Sequence, residues 1–469
     1  MKRKIVFIVI FMLACLAPFA TLWLSEDTSV AEKRELQKFP ALIEDKAVNL
    51  AFFEQFDAWF SDHMGGRSYM IEAETCMKEK LFRESSESQI ILGSDGWLYY
   101  AETADDFCSV HTLSERNIEN VARSLRLVQD YCEKNGAQFL FTVAPNKNTL
   151  YPEHMPSWYI KVRDSSNIDL LSSALGRHGV TYVDLKTAFS NDGRVLYQPR
   201  DSHWTYEGGL LAYRTIVRAM EREHSLLNDV TFTERADWDA DLVNMIYPNE
   251  PDTDIQTYPN IHYTFQTKED AVYDEALVIE SYGGEGDGTL LMFRDSFGNT
   301  TWRYFAQTFS KAEFQRAVPY RLNTVERIGA DTVVLEIVER NIKQLAERAP
   351  LMEAPQVKLD FIDAYDMSDG SNRMIREAQG GFCHVYGTVD PLYLGRDYRV
   401  YMVVAGEEGN VFYEAFPIFE KELLKASETG DNGFSCYLPE NCMNCPTVGI
   451  LVKTEGKMFY TAVNPETVR

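Results

Sequence analysis

The sequence predicts an α/β fold: a mainly parallel β-sheet flanked by helices, set behind an N-terminal membrane-anchor helix and followed by a small C-terminal β-sandwich. Three observations predict it. Short apolar runs alternate with helical patterns from about residue 88 to 350, as in parallel sheets covered on both faces. Residues 5–24 carry no charge and follow the basic head Met1-Lys2-Arg3-Lys4. Pro350 and Pro355 bracket an expected linker, and beyond it the pattern changes to short, alternating, aromatic-rich runs.

Taken in order, residues 1–25 read as a membrane anchor. About twenty apolar residues suffice to cross a bilayer, and the basic head places the rest of the chain outside the cytoplasm. A cleaved signal peptide is the alternative, although Pro18-Phe19-Ala20 is a poor cleavage exit and Trp23 suits an interfacial anchor. Residues 26–87 read as a helical extension, with Phe52, Phe53, Phe56, Trp59 and Phe60 at helical spacing. That stripe is expected to pack onto the next domain. Residues 88–350 hold the α/β domain. Ile90-Ile91-Leu92 and Trp97-Leu98-Tyr99-Tyr100 flank a Gly-bearing turn and predict a hairpin. A helix is expected from Ser114, its cap, to Asn135, with Ile118, Val121, Leu125, Val128 and Cys132 on one face. Buried strands are expected at residues 138–143, 181–184, 290–293 and 332–338. Residues 356–469 form the β-sandwich.

The composition excludes some functions. The chain has 469 residues and a formal charge of −25, which argues against nucleic acid, since phosphate binding needs a basic surface. Apolar residues make up 45% of it, enough for a packed core rather than global disorder. Seven cysteines lie beyond the apolar segment, and Cys436, Cys442 and Cys445 with Cys383 suggest a disulfide cluster or, more weakly, a thiolate metal site.

Three segments carry residues suited to acyl transfer. In Arg200-Asp201-Ser202-His203-Trp204-Thr205, positions 201 and 203 share one side of an extended segment. Asp201 can then orient His203 as a base. The strand at 290–293 runs into Arg294-Asp295-Ser296-Phe297-Gly298-Asn299. A serine at the C-terminal end of a parallel strand can present its Oγ beside free backbone N–H groups. The third segment, Ala144-Pro145-Asn146-Lys147, also lies just past a strand and offers a polar group to an oxyanion or substrate. Arg294, Asn299, Trp204 and Tyr206 are further candidates beside the two motifs; the aromatic pair would suit stacking on sugar rings. Each reading has a plain structural counterpart: a capping serine, a turn asparagine, core aromatics.

Together these segments resemble the DHHW proteins and the alginate O-acetyltransferase-like branch of the SGNH hydrolase superfamily. The resemblance rests on Asp201-x-His203-Trp204-Thr205 with Gly208, and on Arg294-Asp295-Ser296-Phe297-Gly298. It extends to Pro145-Asn146-Lys147 with Tyr151-Pro152, Glu32-x-Arg34-x-Leu36, Asp62-His63 with Arg67, Gly93-x-Asp95-Gly96-Trp97-Leu98, and Glu339-Arg340-Asn341. It runs from about residue 30 to 345, and it implies an SGNH-hydrolase-like sheet with Asp201 and His203 preceding the nucleophile Ser296. Two departures stand out. Ser202 replaces the first histidine of the family name, and Arg294 stands where ordinary SGNH enzymes have glycine two residues before the nucleophile. The Ser296 N–H and Asn146 are the oxyanion candidates that remain.

The resemblance implies a Ser–His–Asp acyltransferase that needs no cofactor and no metal. It would move acetyl groups onto an extracytoplasmic polysaccharide, with a separate multi-span membrane acyltransferase supplying them. An esterase using the same triad is the alternative, and a non-catalytic glycan-binding assembly protein is another. A metal site of Asp201, His203 and Asp295 is the weakest reading.

Overall fold

The computed structural model describes the chain except residues 1–3, 10, 13–15, 17–27, 30–33, 45–46, 65–66, 83, 251–252, 270–272, 360–363, 368–371, 407–408, 420–429, 445–447, 464–465 and 468–469. Most of the 5–24 apolar run therefore lies outside the described residues, and no helix among those described is long and apolar enough to cross a membrane.

The central sheet is built from β1 (Gln138–Ala144), β2 (Tyr182–Val183), β3 (Gln266–Thr267), β4 (Val278–Tyr282), β5 (Thr289–Phe293), β6 (Lys311–Gln315) and β7 (Thr332–Val338), in the order β3-β4-β6-β5-β7-β1-β2. The five strands from β6 to β2 run parallel, while β3 and β4 close one edge antiparallel. The strands form because their sequences are apolar on both faces. All seven residues of β7 are buried. Val333, Leu335 and Ile337 join Phe139, Phe141 and Val143 in one core, and Val334 and Val338 join Leu140 and Ala144 in the other. Full burial of each such side chain contributes about 1.5–3 kcal/mol.

Helices cover both faces. On the first face lie α1 (Glu115–Lys134) and α2 (Asn167–His178). Ser114 caps α1 by accepting from Asn117 N, and Ser166 with Asp169 forms a capping box on α2. On the second face lie α3 (Tyr206–Arg218) and α4 (Trp302–Thr308). The start of α3 approaches closely because it is glycine. A Cβ on Gly208 would meet Leu196 O at 2.5 Å, and one on Gly209 would meet Thr300 Oγ1 at 2.6 Å. The expected hairpin is present, Ile90–Leu92 pairing with Leu98–Tyr100.

Three expectations need correction. Residues 26–87 are not helical throughout. Helices Phe52–His63 and Arg67–Phe82 follow a short strand pair, Ile43–Glu44 with Ala47–Val48. Asn49 closes the turn between them by accepting from Ala51 N and donating to Ala41 O. The aromatic stripe packs mainly on itself and on Phe39, and Phe53 stays 81% exposed. The segment between Pro350 and Pro355 is no exposed linker. Leu351 exchanges backbone hydrogen bonds with Tyr320 and Leu322, and Ala354 N donates to Tyr437 O.

Beyond it, strands from Gln356 to Thr467 form a six-stranded and a five-stranded sheet. Phe416, Ile418 and Tyr437 of this sandwich enter the same core as α1. Arg123 bonds Glu414 and Arg116 bonds Asp431 across the junction. Cys383, Cys436 and Cys442 lie buried in the sandwich core, and burial pushes the Cys436 thiol well up. Cys445 lies outside the described residues.

Candidate active site

The C-terminal ends of β5 and β7 open on one cleft, which Ser296 and Arg340 line. After β5, the turn at Ser296 leads into a single 3-10 turn, Phe297–Thr300. Ser296 precedes that turn without capping it: its carbonyl accepts from Asn299 N, while its Oγ is left for another partner. That partner is His203. Ser296 Oγ lies 2.8 Å from His203 Nε2, and His203 Nδ1 lies 2.8 Å from Asp201 Oδ1. A carboxylate only accepts, so Nδ1 carries the proton and Nε2 is the free acceptor toward Ser296. Phe297 supports the imidazole, with ring centroids 5.0 Å apart.

Asp201 is held by four donors. Oδ1 also accepts from His203 N at 2.9 Å, and Oδ2 accepts from Trp238 Nε1 at 3.1 Å and Asp241 N at 3.0 Å. Burial opposes its charge, yet His203 and these N–H donors outweigh burial and hold the carboxyl far below the usual range. Burial likewise opposes an imidazolium at His203, but the carboxylates of Asp201 and Asp241 raise its pKa above the ordinary value. Asp241 stands 3.6 Å from Nδ1 and accepts from Ser202 N at 2.8 Å and Ser202 Oγ at 2.5 Å. Burial, then the Asp201 charge, raises its own pKa. Asp201, His203 and Asp241 offer one ligand atom each within 4.8 Å of one another, but these hydrogen bonds already engage both carboxylates. Asp295 is not with them; its carboxylate accepts from Phe297 N and Val338 N.

The cleft has a volume of about 590 Å³ and brings Ser296, His203, Ser202 and Asp241 together with Tyr100 and Arg340. The other sequence candidates lie around this cleft rather than in it. Lys147 is buried and donates to the carbonyls of Gln198, Pro199 and Asp201, at 3.1, 3.0 and 2.6 Å. It therefore staples the Asp201 loop instead of contacting substrate. Burial pulls its pKa down to about 7 against the pull of Asp201 and Asp241. Asn146 is 1% exposed; its Oδ1 accepts from Arg340 N, and its side-chain amide nitrogen is buried without a partner.

Arg294 is also buried. It donates to Asn299 Oδ1 and to Asp274 O, so this pair braces the turn after β5. Burial lowers the Arg294 pKa to about 10. A Cβ at Gly298 would meet the Arg294 side chain at 2.7 Å, which accounts for the glycine there. Trp204 is 1% exposed and donates to Phe297 O and Thr300 Oγ1 from the core, out of reach of any sugar. Tyr206 packs against Trp238 and Tyr258. The sequence reading missed Trp238, Asp241 and the site role of Arg340. Trp238 and Asp241 come from an excursion that pairs Phe232–Trp238 with Asp254–Pro259.

Residues 90–275 match the family model for an SGNH hydrolase-like domain, acetyltransferase AlgX. The chain is 27% identical over 150 residues to the probable alginate O-acetylase AlgJ of Pseudomonas syringae pv. tomato, a match covering 31% of this chain and 37% of that protein. It is 28% identical over 188 residues to the corresponding protein of Pseudomonas putida, covering 37% and 46%. The chain thus spans less than half the length of the curated relatives it matches. Among solved structures, Bacillus cereus PatB1 with a sulfonyl adduct is similar at 14% identity and a TM-score of 0.44, over 54% of this chain and 95% of that one.

Proposed function

We propose, for a chain that belongs over residues 90–275 to the AlgX/AlgJ-type branch of the SGNH hydrolase superfamily, that it is a Ser–His–Asp O-acetyltransferase. The observation that carries this reading is the hydrogen-bonded line Ser296–His203–Asp201 opening on a cleft at the strand ends. His203 Nε2 takes the Ser296 proton as Oγ attacks the acetyl carbonyl. The tetrahedral adduct collapses, and the leaving group departs with the proton returned by His203. A sugar hydroxyl then repeats the sequence in reverse and leaves as its acetyl ester. Asp201 stays ionised throughout and holds the imidazolium.

The acceptor is proposed to be a cell-surface or secreted polysaccharide. The names of the matching relatives, probable alginate O-acetylases, support acetyl transfer to a glycan. The uncharged 5–24 run behind a basic head supports an extracytoplasmic site. A multi-span membrane acyltransferase is proposed to bring acetyl groups across the bilayer.

A carbohydrate esterase is the second reading. It is favoured by the solvent exposure of the site, since the His203 side chain is 22% accessible and water can replace the sugar. The test is to incubate the purified chain with an acetyl ester donor and oligosaccharides and analyse the products by mass spectrometry. Acetylated sugar that disappears in Ser296→Ala supports transfer. Free acetate alone, with every oligosaccharide unmodified, contradicts it and leaves the esterase. Turnover that persists in Ser296→Ala sinks both.

A further inference from the structure

In the turn that carries Ser296, Arg294 stands two residues before the serine, where, by the family resemblance, ordinary SGNH enzymes have glycine. Arg294 fills the space beside Gly298 and faces Asn299 and Asp274, so it presents nothing to the cleft. The Ser296 N–H makes no hydrogen bond within the described residues, and one donor is a weak trap for a developing alkoxide. A second donor is needed from elsewhere in the cleft.

We propose that Arg340 is a catalytic residue whose guanidinium binds the tetrahedral oxyanion formed at Ser296. The inference rests on the reading of Ser296 as nucleophile. Arg340 lines the same cleft as Ser296 and His203. Its guanidinium carbon lies 5.6 Å from the Phe297 ring centre, and His203 flanks that same ring at 5.0 Å. Phe297 directly follows the nucleophile in sequence. The Tyr100 ring lies 5.5 Å from the guanidinium as well. Two aromatic faces favour the cation without using its N–H groups. No carboxylate or carbonyl is paired with that side chain among the described residues, although aspartate and glutamate outnumber lysine and arginine by 71 to 46 in the chain.

The backbone under Arg340 is anchored with unusual care. It follows β7, and its N–H donates to Asn146 Oδ1 at 3.3 Å. The preceding Glu339 is 1% exposed and accepts from Asn146 N and Thr149 Oγ1, both at 2.7 Å. Asn146 therefore contributes by positioning Arg340, which gives that residue a place in the site even though its side chain is buried. In the reaction Arg340 gives up no proton. The Ser296 proton moves to His203 Nε2, the Oγ–carbon bond forms, and the carbonyl π pair becomes the alkoxide that the guanidinium N–H groups solvate. The pair returns when the leaving group departs.

A pH readout separates this role from a structural one. Arg340 faces His203 together with Asp201 and Asp241, and its positive charge lowers the imidazole pKa against theirs. Hydrolysis of p-nitrophenyl acetate by the full chain is the assay, with Arg340→Ala, Arg340→Lys and Ser296→Ala compared. Arg340→Ala is expected to lose roughly 10²–10³-fold in kcat, with KM little changed. Its acid limb should move to higher pH. Arg340→Lys should keep part of the rate, and added guanidinium ion at millimolar concentration should rescue Arg340→Ala in part. An Arg340→Ala variant with unchanged kcat, or with a rise in KM alone, overturns the proposal. If Arg340→Ala is unfolded by circular dichroism, the decision passes to Arg340→Lys, whose wild-type kcat and unmoved acid limb would overturn it. An active Ser296→Ala instead removes the nucleophile reading on which the proposal stands.

Discussion

Among the described residues, two histidines join a carboxylate at Nδ1 to a serine at Nε2, and the proposed chemistry belongs to one of them. At the sheet end, Asp201, His203 and Ser296 are linked by bonds of 2.8 and 2.8 Å. In the sandwich, Glu377, His384 and Ser435 are linked by bonds of 3.2 and 2.8 Å, beside a cleft of about 410 Å³. Distances alone barely separate them. Backbone context does. Ser435 sits in a strand paired on both sides, opposite Tyr386 on one and Phe416 on the other, so its backbone groups belong to the ladder. Ser296 stands past the end of a parallel strand, and its N–H makes no hydrogen bond among the described residues. The bases differ as well. Burial lowers the His384 pKa despite Glu377, whereas at His203 two carboxylates overcome burial and raise it. His384 is also stacked between Tyr386 and Tyr437, at 4.8 and 4.4 Å, which confines it in the sheet surface. A hydrogen-bonded Ser–His pair is thus a weak sign of catalysis until the serine's main chain and the carboxylate's own partners are counted.

The comparison breaks most directly by mutation. Ser296→Ala and His203→Ala should each cost roughly 10³-fold or more in ester turnover, while Ser435→Ala and His384→Ala should leave it near wild type. Equal losses at both sites would erase the distinction. Next in size, Asp201→Asn should cost on the order of 10³–10⁴-fold in kcat, because the amide can hold the wrong tautomer. Glu377→Gln should cost nothing in the same assay.

A smaller effect concerns the loop. Lys147→Met removes the donor shared by the carbonyls of Gln198, Pro199 and Asp201 and should destabilise the fold by about 1–3 kcal/mol in urea titration. The loosened Asp201 segment should lower kcat at the same time; stability loss with full activity would contradict the stapling role. The smallest effect is a shift in pH. Turnover needs neutral His203, so rate falls as pH drops through its pKa. Asp241 raises that pKa, and Asp241→Asn should therefore move the acid limb to lower pH by a fraction of a unit. A limb that moves up, or stays fixed, would show that Asp241 does not tune the base.

Much of this was legible because it is local. The strands at 138–144, 289–293 and 332–338 are buried on both faces, so each reads as a short apolar run. Ser114 and the 3.6-residue periodicity marked α1, and the spacing of Asp201 and His203 placed both on one side of an extended segment. What escaped was contact between distant segments. Asp241 secures Asp201 through its backbone N–H, forty positions along the chain, and a backbone donor leaves no trace in residue type. Trp204 and Lys147 were legible as motif members but not as to role. The same tryptophan next to the base serves as well under the site as over a sugar, and burial decided for the core. Residues 26–50 misled because a charge-rich stretch carrying Pro40 and the turn residue Asn49 can masquerade as helix when followed by a true one.

The most direct test of the central claim is to trap the acyl-enzyme. The chain is mixed with an activated acetyl ester, quenched in acid, digested, and mapped by mass spectrometry. A single acetyl group is expected on the peptide containing Ser296, absent from Ser296→Ala and from His203→Ala. Acetyl on the Ser435 peptide instead, or steady turnover with Ser296 never acetylated, would contradict it.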